Sequence, residues 1–446
     1  MKKERFCLVG VFVLSMLIRC GALAQNSSVS VNPGFETDSL TLKNIISTII
    51  NYHPSVKQAQ EAMNNAQAGI SLAKSGYLPV IDAEASYARI GPLQQITFPG
   101  FGTFQLYPAD NYSASVNCYQ SIYDFGKTAK NVALAEENKN LSQQTSEQLK
   151  QKLAYSATML YYSIVYLQQA IVINNKQQKT LQSHLEFVQK KHETGSATQY
   201  EILSTQVKIS MVESMGIDLQ TALKNQTTEL CSLMGQTGNP QMVVQQELNV
   251  KLPDVPTDSL LAFAYEHRDE IKIAVEKTTV AQLKYKVLKV QDRPSLNLQL
   301  SGGGKNGYIP NLNAVKLNYV VGVGLKIPIF NATRTKYSLV QANTGIRMME
   351  LETDLAKLTI ATEVTENLEN LKSALKHIEH YSLQLSQSEQ AFALAKTNFS
   401  DGGITNLDLL DAATTISESS LLLLKSRIEY ITTIYRLKMA IGERLY

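Results

Sequence analysis

Two hydrophobic periods alternate along this 446-residue chain, and each occurs twice. The period-two runs are short. Leu296, Leu298 and Leu300 interleave with Asn297, Gln299 and Ser301; Tyr319, Val321, Val323, Leu325 and Ile327 interleave with Asn318, Gly322, Gly324 and Lys326. Weaker runs lie upstream: Ile81, Ala83, Ala85 and Tyr87 against Asp82, Glu84 and Ser86, then Ala114, Val116 and Cys118 against Ser115, Asn117 and Tyr119. Such alternation predicts strands with one apolar and one polar face. The other period is helical. Leu410, Thr414, Ser417, Leu421, Leu424, Ile428, Ile431 and Tyr435 step by four and three, a heptad seam between packed helices. Leu153, Leu160 and Leu167 recur every seven residues within 124–193, a stretch without proline whose one glycine is Gly126. Its roughly 70 residues make a helix of about 105 Å. Thr198 to Met234 predicts a helix near 55 Å, and Leu40 to Gly76 one of similar length. Two such helices end to end match the long one, so all three can share one cylinder wall. Many seam positions are small or polar, which suits a wall wetted on one side.

The second half of the chain repeats the first. Pro54 answers to Asp269 and Pro79 to Pro294, both 215 positions on. Beyond the strands the spacing is 207: Tyr123-Asp124 matches Phe330-Asn331, Gly195 matches Gly402, Leu203 matches Leu410, and Gly235 matches Gly442. All the length change falls between the paired strands, where loops tolerate it. The loop Gly91–Asp110, with Pro92, Pro99, Gly100, Gly102 and Pro108, is the longer one, and Gly302–Ala314 is its shorter partner. The expected organisation is a first repeat over 25–235 with its β-hairpin at 79–123, a linker over 236–258, and a second repeat over 259–446 with its hairpin at 294–330. Each repeat runs helix, β-hairpin, long helix, helix.

Residues 1–24 predict a signal peptide: Lys2, Lys3 and Arg5, an apolar core from Phe6 to Ile18, then Ala22-Leu23-Ala24 before Gln25, with cleavage between Ala24 and Gln25. Acylation at Cys20 is the rival, opposed by Arg19 directly before it. The formal net charge of +3 leaves with this segment, so the mature chain is neutral and has no basic block for nucleic acid. Cys118 and Cys231 remain, too few and too far apart for a disulfide scaffold. Each alternating run is about ten residues, the length of a tilted transmembrane strand. A half-buried soluble sheet alternates in the same way. The signal peptide favours membrane, as does the tyrosine girdle of Tyr77, Tyr87, Tyr107, Tyr112, Tyr119, Tyr123, Tyr308 and Tyr319. Strands in lipid must close, and four strands do not, so closure needs several copies.

The junction Pro328-Ile329-Phe330-Asn331 and the run Gly402-Gly403-Ile404-Thr405-Asn406-Leu407-Asp408-Leu409-Leu410-Asp411-Ala412 resemble the TolC-like outer-membrane channel-tunnels. So do Gly195-Ser196-Ala197-Thr198-Gln199-Tyr200-Glu201 and the endings Leu233-Met234-Gly235 and Ala440-Ile441-Gly442. The resemblance covers the whole mature chain. Copy one departs at Ser121, where the family usually has proline, and at Phe125, where glycine is common. The resemblance implies a mainly α protein with a transmembrane β-barrel portion: a homotrimer whose four strands per chain make a twelve-stranded barrel in outer-membrane lipid, above a long α-helical barrel in the periplasm. It also implies docking through a periplasmic adaptor (membrane fusion protein) to an inner-membrane pump of RND or ABC type. The expected function is the passive exit duct of a tripartite efflux system. Type I protein secretion is the alternative, and a soluble periplasmic coiled-coil scaffold the remote one.

Catalysis is not expected. Ser301-Gly302-Gly303-Gly304-Lys305 lacks the phosphate-loop spacing and is expected in a barrel loop, and His53 and His267 have no partner at ligand or catalytic spacing. No cofactor or metal is implied. The candidate residues lie at the helix-hairpin turns. Thr198-x-x-Glu201 is a capping-box pattern and Thr405-x-x-Asp408 a variant. Capping leads for Glu201; for Asp408 capping and a lumenal role both stand. Asp411, one turn on, is too far in to cap, and resemblance to the family's acidic aperture ring points it at the lumen. Gly195, Thr198, Gly402, Gly403 and Thr405 are the expected adaptor-docking turns.

Overall fold

A computed structural model describes residues 41–100, 102–236, 244–245, 250, 252 and 256–446. The signal segment with its cleavage site, and most of the linker, lie outside the described residues. In chain order the elements are α1 (Leu42–Tyr52), α2 (Pro54–Ser75), β1 (Val80–Arg89), β2 (Gln95–Phe98), β3 (Gly102–Gln105), β4 (Asp110–Tyr123), α3 (Lys127–Glu193) and α4 (Gln199–Leu233). Copy two contributes α5 (Leu260–His267), α6 (Asp269–Val290), β5 (Ser295–Lys305), β6 (Lys316–Lys326), α7 (Arg334–Ser400) and α8 (Asn406–Ile441). The sheet order is β1-β4-β5-β6, antiparallel throughout. The helices that continue these strands pack in the same sequence, α2 on α3, α3 on α6 and α6 on α7.

The helix expected over Leu40–Gly76 is two helices broken at His53. A residue before proline is disfavoured in the helical region by clash with the proline ring, and His53 sits at φ −62°, ψ 129° ahead of Pro54. Copy two breaks at the equivalent Arg268, at φ −63°, ψ 128°, with no proline to force it. There the break is held by charge. Buried Arg268 donates Nη1 to the Met439 carbonyl at 3.0 Å and pairs with Glu270 at 2.8 Å and Glu363 at 2.9 Å. Asp269, also buried, takes both guanidinium arms of Arg444 at 2.7 and 2.8 Å. A left-handed glycine closes against each break. Gly235 (φ 77°) lies by the Tyr52 carbonyl, and Gly442 (φ 81°) so near His267 and Arg268 that a Cβ would come within 2.8 Å of the Arg268 nitrogen.

Two apolar clusters surround these breaks. Ile45, Ile46 and Ile49 of α1 pack on Ala154, Ala157, Tyr161 and Val165 of α3 with Leu230 and Ile431. Leu260 and Ala264 of α5 pack on Ile360 and Val364 of α7 with Ile434 and Leu437 of α8. The α8 seam from Leu410 to Tyr435 is buried or half-buried at all eight heptad positions.

Two loop expectations change. Within Gly91–Asp110 the chain forms a two-stranded ribbon, β2 with β3, clasped by a Thr97–Thr103 hydroxyl hydrogen bond of 2.9 Å. Gly302, Gly303 and Gly304 are strand, not loop, because β5 runs to Lys305. A Cβ on Gly303 would stand 2.1 Å from the Ala114 carbonyl oxygen, so only glycine lets β5 approach β4 there. At the strand-to-helix junctions Phe125 and Gly126 are left-handed, as are their equivalents Ala332 and Thr333. Asp124 stabilises the first of these turns, accepting the Gly126 and Thr128 amides at 2.9 and 2.6 Å. Phe125 therefore takes a glycine-like conformation without being glycine, and β4 accommodates Ser121 with a bulge between Ser121 and Tyr123.

Where α3 meets α6, the Glu276 carboxyl faces Glu137, and its Oε2 is buried with no hydrogen-bond partner among the described residues. The Glu137 carboxyl beside it, with burial, pushes Glu276 up from 4.5 to about 7. The neighbouring Lys277 is engaged by Glu352 at 2.7 Å. The folded chain holds a proton that the unfolded chain releases. The stability from this contact is therefore complete below about pH 4.5 and lost as pH rises through about 7. Glu276→Gln is expected to flatten the fall in melting temperature between about pH 4.5 and 7. An unchanged slope would show that the fold does not hold Glu276 protonated.

Candidate functional site

The long helices end in two turns that the structure brings together. Gly195 (φ 77°) and Gly402 (φ 80°) terminate α3 and α7 in the left-handed conformation that glycine adopts without a Cβ penalty. Beyond each turn a capping box starts the next helix. Thr198 accepts the Glu201 amide at 3.3 Å while Glu201 accepts the Thr198 amide at 3.1 Å. Asp408 accepts the Thr405 amide at 2.9 Å and the Thr405 hydroxyl at 2.6 Å, bonds that hold its carboxyl below the usual range. Asp411 is exposed and makes no cap; its carboxylate lies 3.9 Å from Lys208 of α4. Gly403 is exposed beside the Asn398 carbonyl, to which its amide donates at 2.7 Å.

The centre of this end is a residue outside the expected set. Asn406, 4% exposed, links the two copies. Its Nδ2 donates to the Glu201 carbonyl, Ser204 Oγ and Thr205 Oγ1 at 3.3, 3.2 and 3.3 Å, and its Oδ1 lies 2.6 Å from His184 Nε2. Burial pushes His184 below its ordinary pKa, and nearby Lys191 acts in the same direction. A neutral imidazole donating from Nε2 satisfies Asn406. Lys191 spans the same seam, its ammonium over the Phe187 and Phe399 rings and donating to the Phe399 carbonyl at 3.3 Å. Beside them a cavity of about 650 Å³ is lined by His184, Phe187, Phe392, Phe399, Leu409 and Leu410. The only sequence signal for Asn406 is a difference between copies, since its equivalent is Gln199.

The sheet has two distinct faces. On one, Asn117 donates to Asp82 at 3.0 Å and accepts from Ser301 at 2.7 Å, with Glu84, Gln299 and Lys326 alongside. On the other, Tyr319, Val321, Val323 and Leu325 of β6 are each at least 60% exposed, an apolar surface with no cover among the described residues. Strands β1 and β6 are open edges. Below β6, α7 exposes Tyr337, Val340, Met348, Leu351, Leu355 and Leu358 along one stripe. Among the described residues no cluster of three or more His, Cys, Asp or Glu could hold a metal.

An unclosed strand layer continuing into coiled helices is also the architecture of known channels. The Campylobacter jejuni CmeC outer-membrane channel superposes with a TM-score of 0.77 at 16% identity, covering 95% of this chain and 91% of that one. TolC of Vibrio cholerae is 20% identical over 341 residues, 75% of this chain and 77% of that protein. The alkaline protease secretion protein AprF of Pseudomonas aeruginosa is 21% identical over 340 residues, 75% of this chain and 70% of that protein. The model of the outer membrane efflux protein family matches residues 45–236 and 260–443, both copies of the repeat. The chain belongs to the outer membrane efflux protein family and is an outer-membrane export duct whose helical part extends into the periplasm.

Proposed function

We propose that three copies close into one passive duct, a twelve-stranded barrel above a tunnel of helices, serving a tripartite efflux system. A periplasmic adaptor meets the turns at Gly195, Thr198, Gly402, Gly403 and Thr405 and links the duct to an inner-membrane pump of RND or ABC type. Asp408 and Asp411, with Glu201 beside them, form the acidic rim of the periplasmic opening. The carrying observation is the pair of open edges at β1 and β6 beside an exposed apolar face. In lipid every backbone polar group must be paired, so a four-stranded sheet must complete itself with other copies. The similarity to AprF, named for protease secretion, supports type I secretion as the second reading. Both readings predict that the detergent-purified protein is a trimer by light scattering and forms a water-filled pore in planar bilayers. Recovery as a soluble periplasmic monomer would remove both.

A further inference from the structure

The two hairpins of the sheet obey one numerical rule. Every pair across β1 and β4 reappears across β5 and β6 when 215 is added to the first residue and 207 to the second. Val80–Tyr119 becomes Ser295–Lys326, Ile81–Cys118 becomes Leu296–Leu325, and Arg89–Asp110 becomes Gly304–Leu317. The copies are thus equivalent in strand register and not only in sequence. The sheet holds one further contact, β4 on β5, which joins the end of copy one to the start of copy two. Its counterpart, β6 on β1, is not made among the described residues, where both are edges.

We infer that β6 pairs antiparallel with β1 of the next copy in the register β4 keeps with β5, setting Lys326 directly opposite Glu84 of the neighbouring copy. The inference rests on the closed-ring reading above and specifies how the ring is zipped. By the same shifts, Tyr119–Gln299 yields Lys326–Glu84, Asn117–Ser301 yields Gly324–Ser86, Cys118–Leu300 yields Leu325–Ala85, and Val116–Gly302 yields Val323–Tyr87. The chemistry of the pairs agrees with the register. Leu325–Ala85 and Val323–Tyr87 join the apolar faces; Lys326–Glu84 and Gly324–Ser86 join the polar ones. Lys326 and Glu84 are both exposed, and neither has a side-chain partner among the described residues. A slip of one position would oppose Lys326 to Ala83 or Ala85 and turn the polar face towards lipid. A slip of two would oppose it to Asp82 or Ser86, keeping the faces but breaking the equivalence with β4–β5. Opposite charges directly across an antiparallel pair attract, and like charges repel. Three such pairs would ring the polar face at the helix-proximal end of the barrel.

The test uses full-length protein in outer-membrane vesicles, with Cys118 and Cys231 replaced by serine. Cysteines go in as Gly324→Cys with Ser86→Cys, and as Lys326→Cys with Glu84→Cys. Comparison pairs two positions off join Gly324→Cys with Glu84→Cys or with Ala88→Cys. Directly opposed Cα atoms lie about 4.5–5.5 Å apart, within disulfide reach, and diagonal positions about 7–8 Å, beyond it. On oxidation the two opposed pairs are expected to give covalent trimers, and the displaced pairs monomers. Trimers from the displaced pairs, or from none in protein that light scattering shows to be trimeric, would overturn the register. Monomeric protein throughout would overturn the ring beneath it. Separately, Lys326→Glu should lower the detergent-resistant trimer about fivefold, and adding Glu84→Lys should restore it. No restoration in a protein that still cross-links at Gly324→Cys and Ser86→Cys would overturn the ion pair.

Discussion

Asp269→Ala is expected to cost the folded chain about 2–3 kcal/mol, less than breaking a fully buried ion pair because the Arg444 left behind is partly solvated. Asp269 is 5% exposed and takes both arms of Arg444, which also stacks on Tyr446, itself bonded to Glu147 at 2.6 Å. Removing the carboxylate leaves the Arg444 guanidinium, whose side chain is 36% exposed, without its bidentate partner, beside an Arg268 that already serves Glu270 and Glu363. Asp269 also opens α6, where an anion suits the exposed amides of the first turn. The measurement is denaturant unfolding followed by circular dichroism, on Asp269→Ala, Arg444→Met and the double variant. The two single changes should together cost more than the double, and Arg444→Met more than Asp269→Ala, because Arg444→Met leaves the buried Asp269 carboxylate without its counter-charge. Additive single effects would show that the pair is no more than surface charge.

Asp408→Asn with Asp411→Asn is expected to abolish block by trivalent cations applied from the periplasmic side and to weaken cation selectivity in planar bilayers. A trimer would hold these acids as six carboxylates at one opening, and like charge at a constriction gathers cations, most strongly at low salt. Asparagine at 408 keeps an oxygen that can accept the Thr405 amide, so the cap loses only its charge, a change of about 1 kcal/mol at most. The blocking concentration should rise by about tenfold or more, with trimer yield unchanged. Lys208, 3.9 Å from Asp411, tempers the rim, so Lys208→Met should deepen the block. If block persists in the double variant, these acids only start helices.

Local rules made much of this protein legible. Heptad spacing gave α8 its buried stripe, alternation gave both hairpins, and the Thr198–Glu201 and Thr405–Asp408 patterns formed the boxes their spacing predicts. The two shifts of 215 and 207 fixed which residues are equivalent, because duplicated elements spanning a common length cannot change length independently. What the sequence alone could not give are choices made by distant chain. The break at Arg268 needs no proline because Met439, Glu363 and Arg444 arrive from far along the chain to hold it. The three glycines of β5 looked like a loop until β4 approached too closely for any side chain. The link between the two turns depends on His184 meeting Asn406 across 222 positions, and the Glu137–Glu276 contact on two helices meeting from opposite copies. Period, caps and turns are set by neighbours within a few residues and can be read in order. Buried charge, close backbone approach and carboxyls brought face to face depend on which segments meet, and only the folded chain decides that.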